Sequence, residues 1–391
     1  RFKIKREEDK GLKMATKRKK RKTNKRNVAV IVMCAALAFI LIVVLCAYLI
    51  LKSYIGKINH VDGDDWNITV NTDETQTDED GNIVVETTMS EEINSSGAEN
   101  FGNGEGVEKD YVKNILLIGV DNRHFENILS NPGNSDSIIL VSINSKTKKI
   151  YLTSIMRDTA AYIQYSDALK QKAEAMGKAY SDGYDKINIA NARGGPEFLL
   201  DIVEGNFKVK VDDYILVDFY SLIDIIDVLG GIPMTITDAE AEAANNYIRD
   251  MDFDRHVEDW ETANVLSGGG SLILNGVQAV GYARERQTSG SDFNRTSRQR
   301  AVIEQIIIKA KKMSVSQLND LVNTLFPKVY TNMTEGAILG MVADAVTYLG
   351  YDVEQLRVPF DGMYESVSGG NLLPDYEATI EKLQSIIFAT E

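Results

Sequence analysis

The stretch NILLIGVD, Asn114–Asp121, decides how this chain of 391 residues is expected to fold. An uninterrupted apolar run lies between a polar residue at its start and an aspartate at its end. A short run of this kind is typical of a strand that is buried on both faces of a sheet. We therefore predict a buried strand that delivers Asp121 to one edge of a central sheet.

The sequence that follows repeats this pattern and interleaves it with helices. DSIILVSIN (Asp136–Asn144) and KIYLTSI (Lys149–Ile155) are predicted strands joined by a tight polar connection. DYILVDFYSLIDIIDVLGG is predicted to be a short strand and then an amphipathic helix, which ends at Gly230 and Gly231. Strands alternating with helices predict the α/β class, with a single domain built on a central mixed sheet flanked by helices.

Charge is divided unevenly between the amino-terminal end and the rest of the chain. The first 26 residues hold fourteen Lys and Arg against three acids, whereas the remainder holds 29 basic and 54 acidic residues. Counterion release on nucleic acid requires a broad basic surface, and a body this acidic lacks one. We therefore expect no nucleic acid among the partners, and a transcription factor is disfavoured.

A membrane span separates the two regions of opposite charge. Val28–Leu51 is 24 residues without a charge, long enough at about 1.5 Å per residue to cross a bilayer as one transmembrane helix. The basic cluster on its amino-terminal side predicts a cytoplasmic amino terminus, and so a single-pass protein of the cell membrane. The alternative, a cleaved signal peptide, has a shorter apolar region and a small-residue cleavage site. The predicted organisation is a basic cytoplasmic tail (1–27), a transmembrane helix (28–51), an acidic flexible extracellular stalk (52–110) and an extracytoplasmic folded domain with a helical carboxyl-terminal part (111–391).

Cysteine and histidine usage excludes several kinds of site. Both cysteines, Cys34 and Cys46, lie inside the predicted span, so the exported part has no disulfide, thiolate metal site or cysteine nucleophile. The three histidines have no metal-like spacing, which disfavours a histidine metal site and a Ser-His-Asp triad. An exported domain without disulfides favours a bacterial cell surface.

Arginines are concentrated in one stretch of this acidic chain. ARERQTSGSDFNRTSRQR, residues 283–300, contains five arginines and no lysine. Guanidinium groups match phosphate oxygens two at a time and stay charged, and paired carboxylates such as Asp121 and Asp136 are ligands for Mg²⁺. Together they predict a pyrophosphate clamp. The alternative is a solvated helix end whose arginines pair with nearby acids.

Spacing within the arginine stretch supports one binding face. A helix capped by Asn294 would bring Arg295, Arg298 and Gln299 to the same face. Arg284 and Arg286 end the preceding predicted helix, with QTSGSDFN as the loop between the two helices.

Seven ordered motifs resemble the LytR–CpsA–Psr family. They are NILLIGVDNR, SDSIILVSIN, LTSIMRDT, KINIANARGG, VDDYILVDFYSLIDIIDVLGGIPM, LNGVQAVGYARER and DFNRTSRQRAVI. The resemblance implies a membrane-anchored transferase of a Gram-positive-type bacterium. Its members attach a glycopolymer, such as teichoic acid or capsular polysaccharide, from an undecaprenyl-pyrophosphate carrier to a peptidoglycan acceptor.

The resemblance also implies roles for individual residues. Asp121 and Asp136 fall on positions that hold Mg²⁺, with Mn²⁺ as the alternative metal. The implied catalytic residues include three acids: Asp121, Asp158, which is implied to orient Arg157, and Asp292, which occupies the usual acidic position of the loop. The residues implied to grip the pyrophosphate are Arg157, Arg284, Arg286, Arg295, Arg298 and Gln299, of which Arg157, Arg284 and Arg286 are also implied to be catalytic.

Two positions depart from the family pattern. Met156 stands where proline usually precedes Arg157, and Asn134 stands where an arginine is frequent. Neither change removes a core aspartate or arginine, so an active phosphotransferase is expected. The alternatives are a pyrophosphatase that hydrolyses the lipid-linked substrate and a non-catalytic surface protein that binds polyanions or modulates envelope signalling.

Overall fold

The structure is a computed structural model that describes residues 52–61, 66, 89, 93, 105–121, 128–288, 291–313, 315–348 and 350–391. Contacts divide the chain into two units, residues 1–56 and 57–391. In the first unit the described residues form a single helical turn at 52–55. The predicted transmembrane helix, 28–51, lies outside the described residues. Within the described ranges, no helix has both the length and the apolar character that a membrane span requires.

A seven-stranded mixed sheet forms the centre of the second unit. Its strands are β1 (Asn59–His60), β2 (Val112–Val120), β3 (Ser135–Asn144), β4 (Lys149–Ile155), β7 (Asp213–Asp218), β10 (Tyr330–Thr331) and β11 (Asp352–Val358). They lie in the order β1-β10-β7-β2-β3-β4-β11. The β2–β3 and β3–β4 pairs are antiparallel, whereas β2–β7 and β4–β11 are parallel. The predicted α/β class with a central mixed sheet is confirmed.

Among the described residues, three two-stranded ribbons lie outside the central sheet. They are β5 (Ala160–Ile163) with β6 (Gly183–Lys186), β8 (Ile232–Ile236) with β9 (Gly270–Leu274), and β12 (Tyr364–Val367) with β13 (Asn371–Pro374), all antiparallel.

Helices cover both faces of the sheet, as predicted. They are α1 (Asp167–Ala175), α2 (Ile189–Phe207), α3 (Phe219–Val228), α4 (Asp238–Asp254), α5 (Gly276–Arg284), α6 (Ser291–Ala310), α7 (Val315–Leu325), α8 (Glu335–Tyr348) and α9 (Tyr376–Ile387). One core cluster joins Leu116, Ile118 and Leu140 of the sheet to α2 and α9. A second cluster joins Ile139 and Leu152 to α6 and α8 on the other face. Alternate residues of the same strands therefore serve two helical layers.

Strand directions gather the polar residues at one edge of the sheet. β3 runs antiparallel to both of its neighbours, so its amino-terminal end lies beside the carboxyl-terminal ends of β2 and β4. Asp121, Asp136 and Arg157 consequently lie at the same edge. β11, parallel to β4, brings Arg357 to that edge as well.

Part of the segment predicted to be a flexible stalk, 52–110, is built into the domain. Asn59–His60 pairs with β10 at the sheet edge, and Val107 forms a bridge with Val209. Trp66 is 5% exposed, and its Nε1 donates to the Tyr214 hydroxyl at 3.3 Å. The structure differs from the prediction at these residues because single apolar side chains in an acidic segment can still be buried by a sheet edge. Elsewhere in 52–110 the stalk stays a prediction.

Candidate functional site

A cavity of about 260 Å³ lies at the polar edge of the sheet. It brings together residues that are far apart in sequence, from β3, α3, α4, α5 and α6 and from the segments that follow β2 and α5. The lining residues are Asp121, Asp136, Phe219, Tyr247, Arg284, Arg286, Arg295 and Gln299. The cavity therefore contains both predicted metal-binding aspartates and four of the six residues predicted to grip pyrophosphate.

Arg284 and Asp121 form the first charged pair of the cavity. Arg284 is the last residue of α5, and its Nη2 lies 2.5 Å from Asp121 Oδ2. The guanidinium also packs against two aromatic rings, 5.2 Å from the centre of Phe219 and 5.6 Å from that of Tyr247. Only 8% of Arg284 is exposed. Cation–π contacts and the ion pair compensate for burying this charge.

Asp136 is the centre of a second, more positive group. Its Oδ1 lies 3.0 Å from Arg157 Nη1, 3.5 Å from Arg286 Nη2 and 3.9 Å from Arg295 Nη1. One carboxylate thus faces three guanidinium groups. The positive charge therefore exceeds the negative charge, and it is carried by guanidinium groups, whose forked N–H donors match phosphate oxygens. An anion-binding site requires both properties.

The neighbours of this group hold it in place. Asp158 Oδ2 lies 3.3 Å from Arg157 Nε, which is the contact expected of a residue that orients Arg157. Gln299 Nε2 donates to the Asp136 carbonyl at 3.5 Å. Met156 is buried, and its Sδ lies 3.6 Å from Thr296 Oγ1. At this departure from the family pattern, α6 therefore packs directly on the chain that precedes Arg157.

Arg298 does not line the cavity, although it was predicted to bind pyrophosphate. Its Nη2 lies 2.7 Å from Glu285 Oε2 and donates to the Glu285 carbonyl at 2.5 Å. Glu285 is fully buried, and it also accepts hydrogen bonds from Thr288 N and Oγ1 at 2.6 and 2.7 Å. The difference arises because helix positions three apart are rotated by about 60°, enough to face another neighbour. Arg298 holds the loop after α5 and so positions Arg286.

The remaining predicted residues fall at the margin of the site. Arg157 contacts Asp136 of the cavity, and Asp158 contacts Arg157; neither is among the lining residues. The side chain of Asp292 lies outside the described residues. Sequence reasoning missed Phe219, Tyr247 and Glu285; of these, only Glu285 gave a local signal, since it is an acid between two arginines of the ARER motif.

The donor set fits Mg²⁺ in kind. Mg²⁺ is commonly held by one or two carboxylates together with water and phosphate oxygens, and Asp121 and Asp136 line one cavity. Among the described residues, no group of three or more His, Cys, Asp or Glu side chains is placed to hold a metal. A metal in this cavity would therefore depend on these two aspartates and on oxygens from elsewhere.

Comparison with known proteins points to one family. The model of the LytR_cpsA_psr family matches residues 67–385. Biofilm regulatory protein A of Streptococcus mutans is 32% identical over 241 residues, which cover 60% of this chain and 53% of that protein. The polyisoprenyl-teichoic acid–peptidoglycan teichoic acid transferase TagU of Bacillus licheniformis is 33% identical over 222 residues, which cover 56% of this chain and 60% of that protein. The chain thus spans little more than half the length of these relatives.

Solved structures share the fold. A crystal structure of protein gbs0355 from Streptococcus agalactiae has a TM-score of 0.54 at 24% identity, covering 71% of this chain and 88% of that one. A structure of TagT bound to LIIa-WTA has a TM-score of 0.52 at 22% identity, covering 75% of this chain and 98% of that one.

Proposed function

The chain belongs to the LytR–CpsA–Psr family, and on that premise we propose that it is a phosphotransferase that attaches a glycopolymer from a polyprenyl-pyrophosphate carrier to peptidoglycan. The observation that carries the proposal is the cavity in which Arg286 and Arg295 face Asp136 while Arg284 faces Asp121. Relatives named as teichoic acid transferases support this class of reaction. The membrane anchor, 28–51, belongs to the same proposal because it would hold the enzyme beside its lipid substrate.

In the proposed reaction the arginines carry the electrostatic part of catalysis. The acceptor hydroxyl attacks the phosphorus attached to the glycan, and the bond to the bridging oxygen breaks, so undecaprenyl phosphate leaves. Arg286 and Arg295 bind the pyrophosphate oxygens and stabilise the charge that develops on the leaving phosphate. Mg²⁺, when bound by Asp121 and Asp136, would neutralise further negative charge on the same phosphates.

Asp121 is our candidate for the base that takes the acceptor proton. It lines the cavity, and its Oδ2 is held at 2.5 Å from Arg284 Nη2. A carboxylate held in this way is oriented for proton transfer from a hydroxyl within hydrogen-bond reach. The proton moves to Asp121 as the new phosphorus–oxygen bond forms.

The decisive experiment measures products directly. The full chain is incubated with Mg²⁺, a polyprenyl-pyrophosphate glycan and peptidoglycan oligomers, and the products are identified by mass. We expect a phosphodiester-linked glycan on peptidoglycan. We expect Arg286→Lys and Asp121→Asn each to lower the rate by about 10²-fold, because the fork or the carboxylate is lost.

Arg255→Lys is the matched control. Arg255 also pairs with an aspartate, Asp224 at 3.1 Å, but it does not line the cavity, so full activity is expected. Release of undecaprenyl phosphate without glycan attachment would contradict the transferase and indicate a pyrophosphatase. Substrate binding with no turnover would contradict both enzymes and indicate a polyanion-binding protein.

A further inference from the structure

Two arginines outside the cavity share a second basic site at the same edge of the sheet. Arg300 lies on α6 and Arg357 on β11. Arg300 is 8% exposed, and the Arg357 side chain is 14% exposed. Burial, and then the positive charge of Arg357, lower the pKa of Arg300 to about 10. Two like charges held together in a poorly solvated place destabilise each other unless an anion lies between them.

Acceptors in the described part of the chain satisfy this pair of arginines only in part. Nη1 of Arg300 and Nη1 of Arg357 are both buried, and no described residue accepts a hydrogen bond from either. Arg300 has no carboxylate of the described residues within ion-pair distance, and its Nε donates to the amide oxygen of Gln355 at 3.3 Å. Arg357 pairs with Asp361, which is almost fully exposed. A buried guanidinium with unused donors is costly, so the arrangement favours an added anion.

An exposed amide and two aromatic rings mark where a ligand would enter. Gln355 is exposed, and its Nε2 donates to Glu304 Oε2 at 2.6 Å. An anion that replaces the Gln355 oxygen as the acceptor for Arg300 would have to displace this amide. Arg357 lies 4.4 Å from the centre of the Phe293 ring, and Phe293 lies 5.8 Å from the Tyr364 ring. Both rings are partly exposed. Aromatic rings beside a charged donor offer an apolar surface for the face of a sugar.

The second site lies on a different face of α6 from the candidate active site. Phe293 and Arg300 are seven residues apart, two helical turns, and so share one face. Arg295 and Gln299, which line the cavity, are rotated from them by more than about 90°. One helix thus separates two groups of arginines.

We propose that Arg300 and Arg357, with Phe293 and Tyr364 beside them, bind a phosphate group carried on a sugar. The assignment of a sugar rests on the proposed function. In that reaction the second site would bind a phosphate of the glycopolymer while the pyrophosphate occupies the cavity. Phosphate is preferred to a neutral sugar because two guanidinium groups supply both the charge and the paired donors that it takes.

Calorimetric titration of the full chain with glucose 6-phosphate tests the site. The titration is made in an Arg286→Gln background, which weakens phosphate binding in the cavity. We expect binding to remain, and to weaken by at least about tenfold when Arg300→Gln or Arg357→Gln is added, because a charge-assisted contact is lost. Arg255→Gln, at an arginine paired with Asp224, should leave the titration unchanged.

Two further measurements separate a binding role from a structural one. Without phosphate, Arg300→Gln should not lower the melting temperature, because it relieves a buried like-charge pair; a lower value would assign Arg300 to the fold and overturn the proposal. Unchanged binding in both variants would overturn it as well. Binding of N-acetylmuramic acid in place of glucose 6-phosphate would overturn the phosphate assignment in favour of a sugar carboxylate. None of these titrations depends on turnover. A protein without transferase activity would therefore refute the proposed transfer but would not affect the test of phosphate binding at Arg300 and Arg357.

Discussion

Glu285 shows how a single buried acid can organise a site that it does not enter. It is fully buried and binds Arg298, whose side chain is 5% exposed, at 2.7 Å. Glu285 also accepts two hydrogen bonds from Thr288. Arg286, which faces the cavity, is the next residue in the chain. The contacts of Glu285 therefore fix the direction of the Arg286 guanidinium.

Removing one partner of this buried pair should be costly. Glu285→Ala leaves the buried Arg298 charge with the longer contact to Glu240 Oε1, at 3.6 Å, as its remaining ion pair among the described residues. We expect the free energy of unfolding to fall by about 3 kcal/mol, measured by urea denaturation. The double variant Glu285→Leu with Arg298→Met should recover a large part of that loss, because the poorly paired buried charge is removed as well. Asp361→Ala removes an exposed acid that also pairs with an arginine, and it should cost less than about 1 kcal/mol. Equal losses for the two acids would contradict this account.

Asp252 contributes to the pH dependence of the domain's stability, and a single substitution can measure that contribution. It is fully buried, and burial raises the pKa of its carboxyl, against the opposing hydrogen bond from Asn264 and the charge of Arg255. The folded state therefore holds its proton to higher pH than the unfolded chain does. Stability contributed by this group is present below the unfolded pKa, near 4, and is lost as pH rises through the raised pKa. Burial also raises the pKa values of Asp201 and Asp212, which titrate in both proteins, so the test is the difference between wild type and Asp252→Asn in thermal unfolding from pH 3 to 7. The wild type should lose melting temperature relative to the variant as pH rises; parallel curves would refute the assignment.

At the scale of elements, α5 is positioned by a glycine. A Cβ at Gly276, the first residue of α5, would lie 2.1 Å from the Ile223 carbonyl oxygen of α3. Backbone cannot yield as a side chain can, so the two helices would have to separate. Arg284, at the other end of α5, would then move relative to Asp121.

Gly276→Ala should accordingly damage both stability and activity. We expect a loss of about 1–3 kcal/mol from overpacking and a lower rate of glycan transfer, measured by urea denaturation and product mass. Gly340→Ala is the matched control, since Gly340 lies within α8 and nothing lies within 4 Å of its added Cβ. That change should be neutral or stabilising by up to about 1 kcal/mol, because alanine favours a helix. A stable, fully active Gly276→Ala would show that α3 and α5 can shift freely.

The elements that could be predicted are those with a strong local pattern. The apolar run of β2 and the strand–helix–Gly-Gly pattern of β7 and α3 appear as expected. The predicted cap of α6 at Asn294 is wrong, since Asn294 lies inside a helix that begins at Ser291. Asparagine is favoured as a cap but is also tolerated inside a helix, so its presence alone does not fix a boundary. The two-residue strands β1 and β10 carry no periodic signal, and only tertiary pairing reveals them.

The candidate site was less predictable than the fold for a similar reason. Strand ends supplied Asp121 and Asp136, and the arginine-rich stretch supplied Arg284, Arg286 and Arg295. Which arginines share the cavity depends on side-chain direction around α6, which the spacing of residues gives only coarsely. Arg298 was therefore predicted to share a face with Arg295, whereas it binds Glu285. Arg300, which the spacing left without a role, lies beside Arg357.

At the scale of the whole molecule, the position at which the folded domain begins can be tested by substituting Trp66. The ring is 5% exposed, lies 6.5 Å from the Tyr330 ring and donates to the Tyr214 hydroxyl, so it belongs to the core beneath the sheet edge. Trp66→Ala in the full chain should lower the free energy of unfolding by about 3–5 kcal/mol, the cost of deleting a buried aromatic ring. Trp260, the chain's second tryptophan, is partly exposed and packs on the exposed Phe253, so Trp260→Ala should cost much less. Urea denaturation followed by circular dichroism measures both variants without relying on tryptophan fluorescence. If the Trp66→Ala variant were as stable as wild type, residue 66 would belong to the predicted stalk, and the domain would begin closer to residue 111.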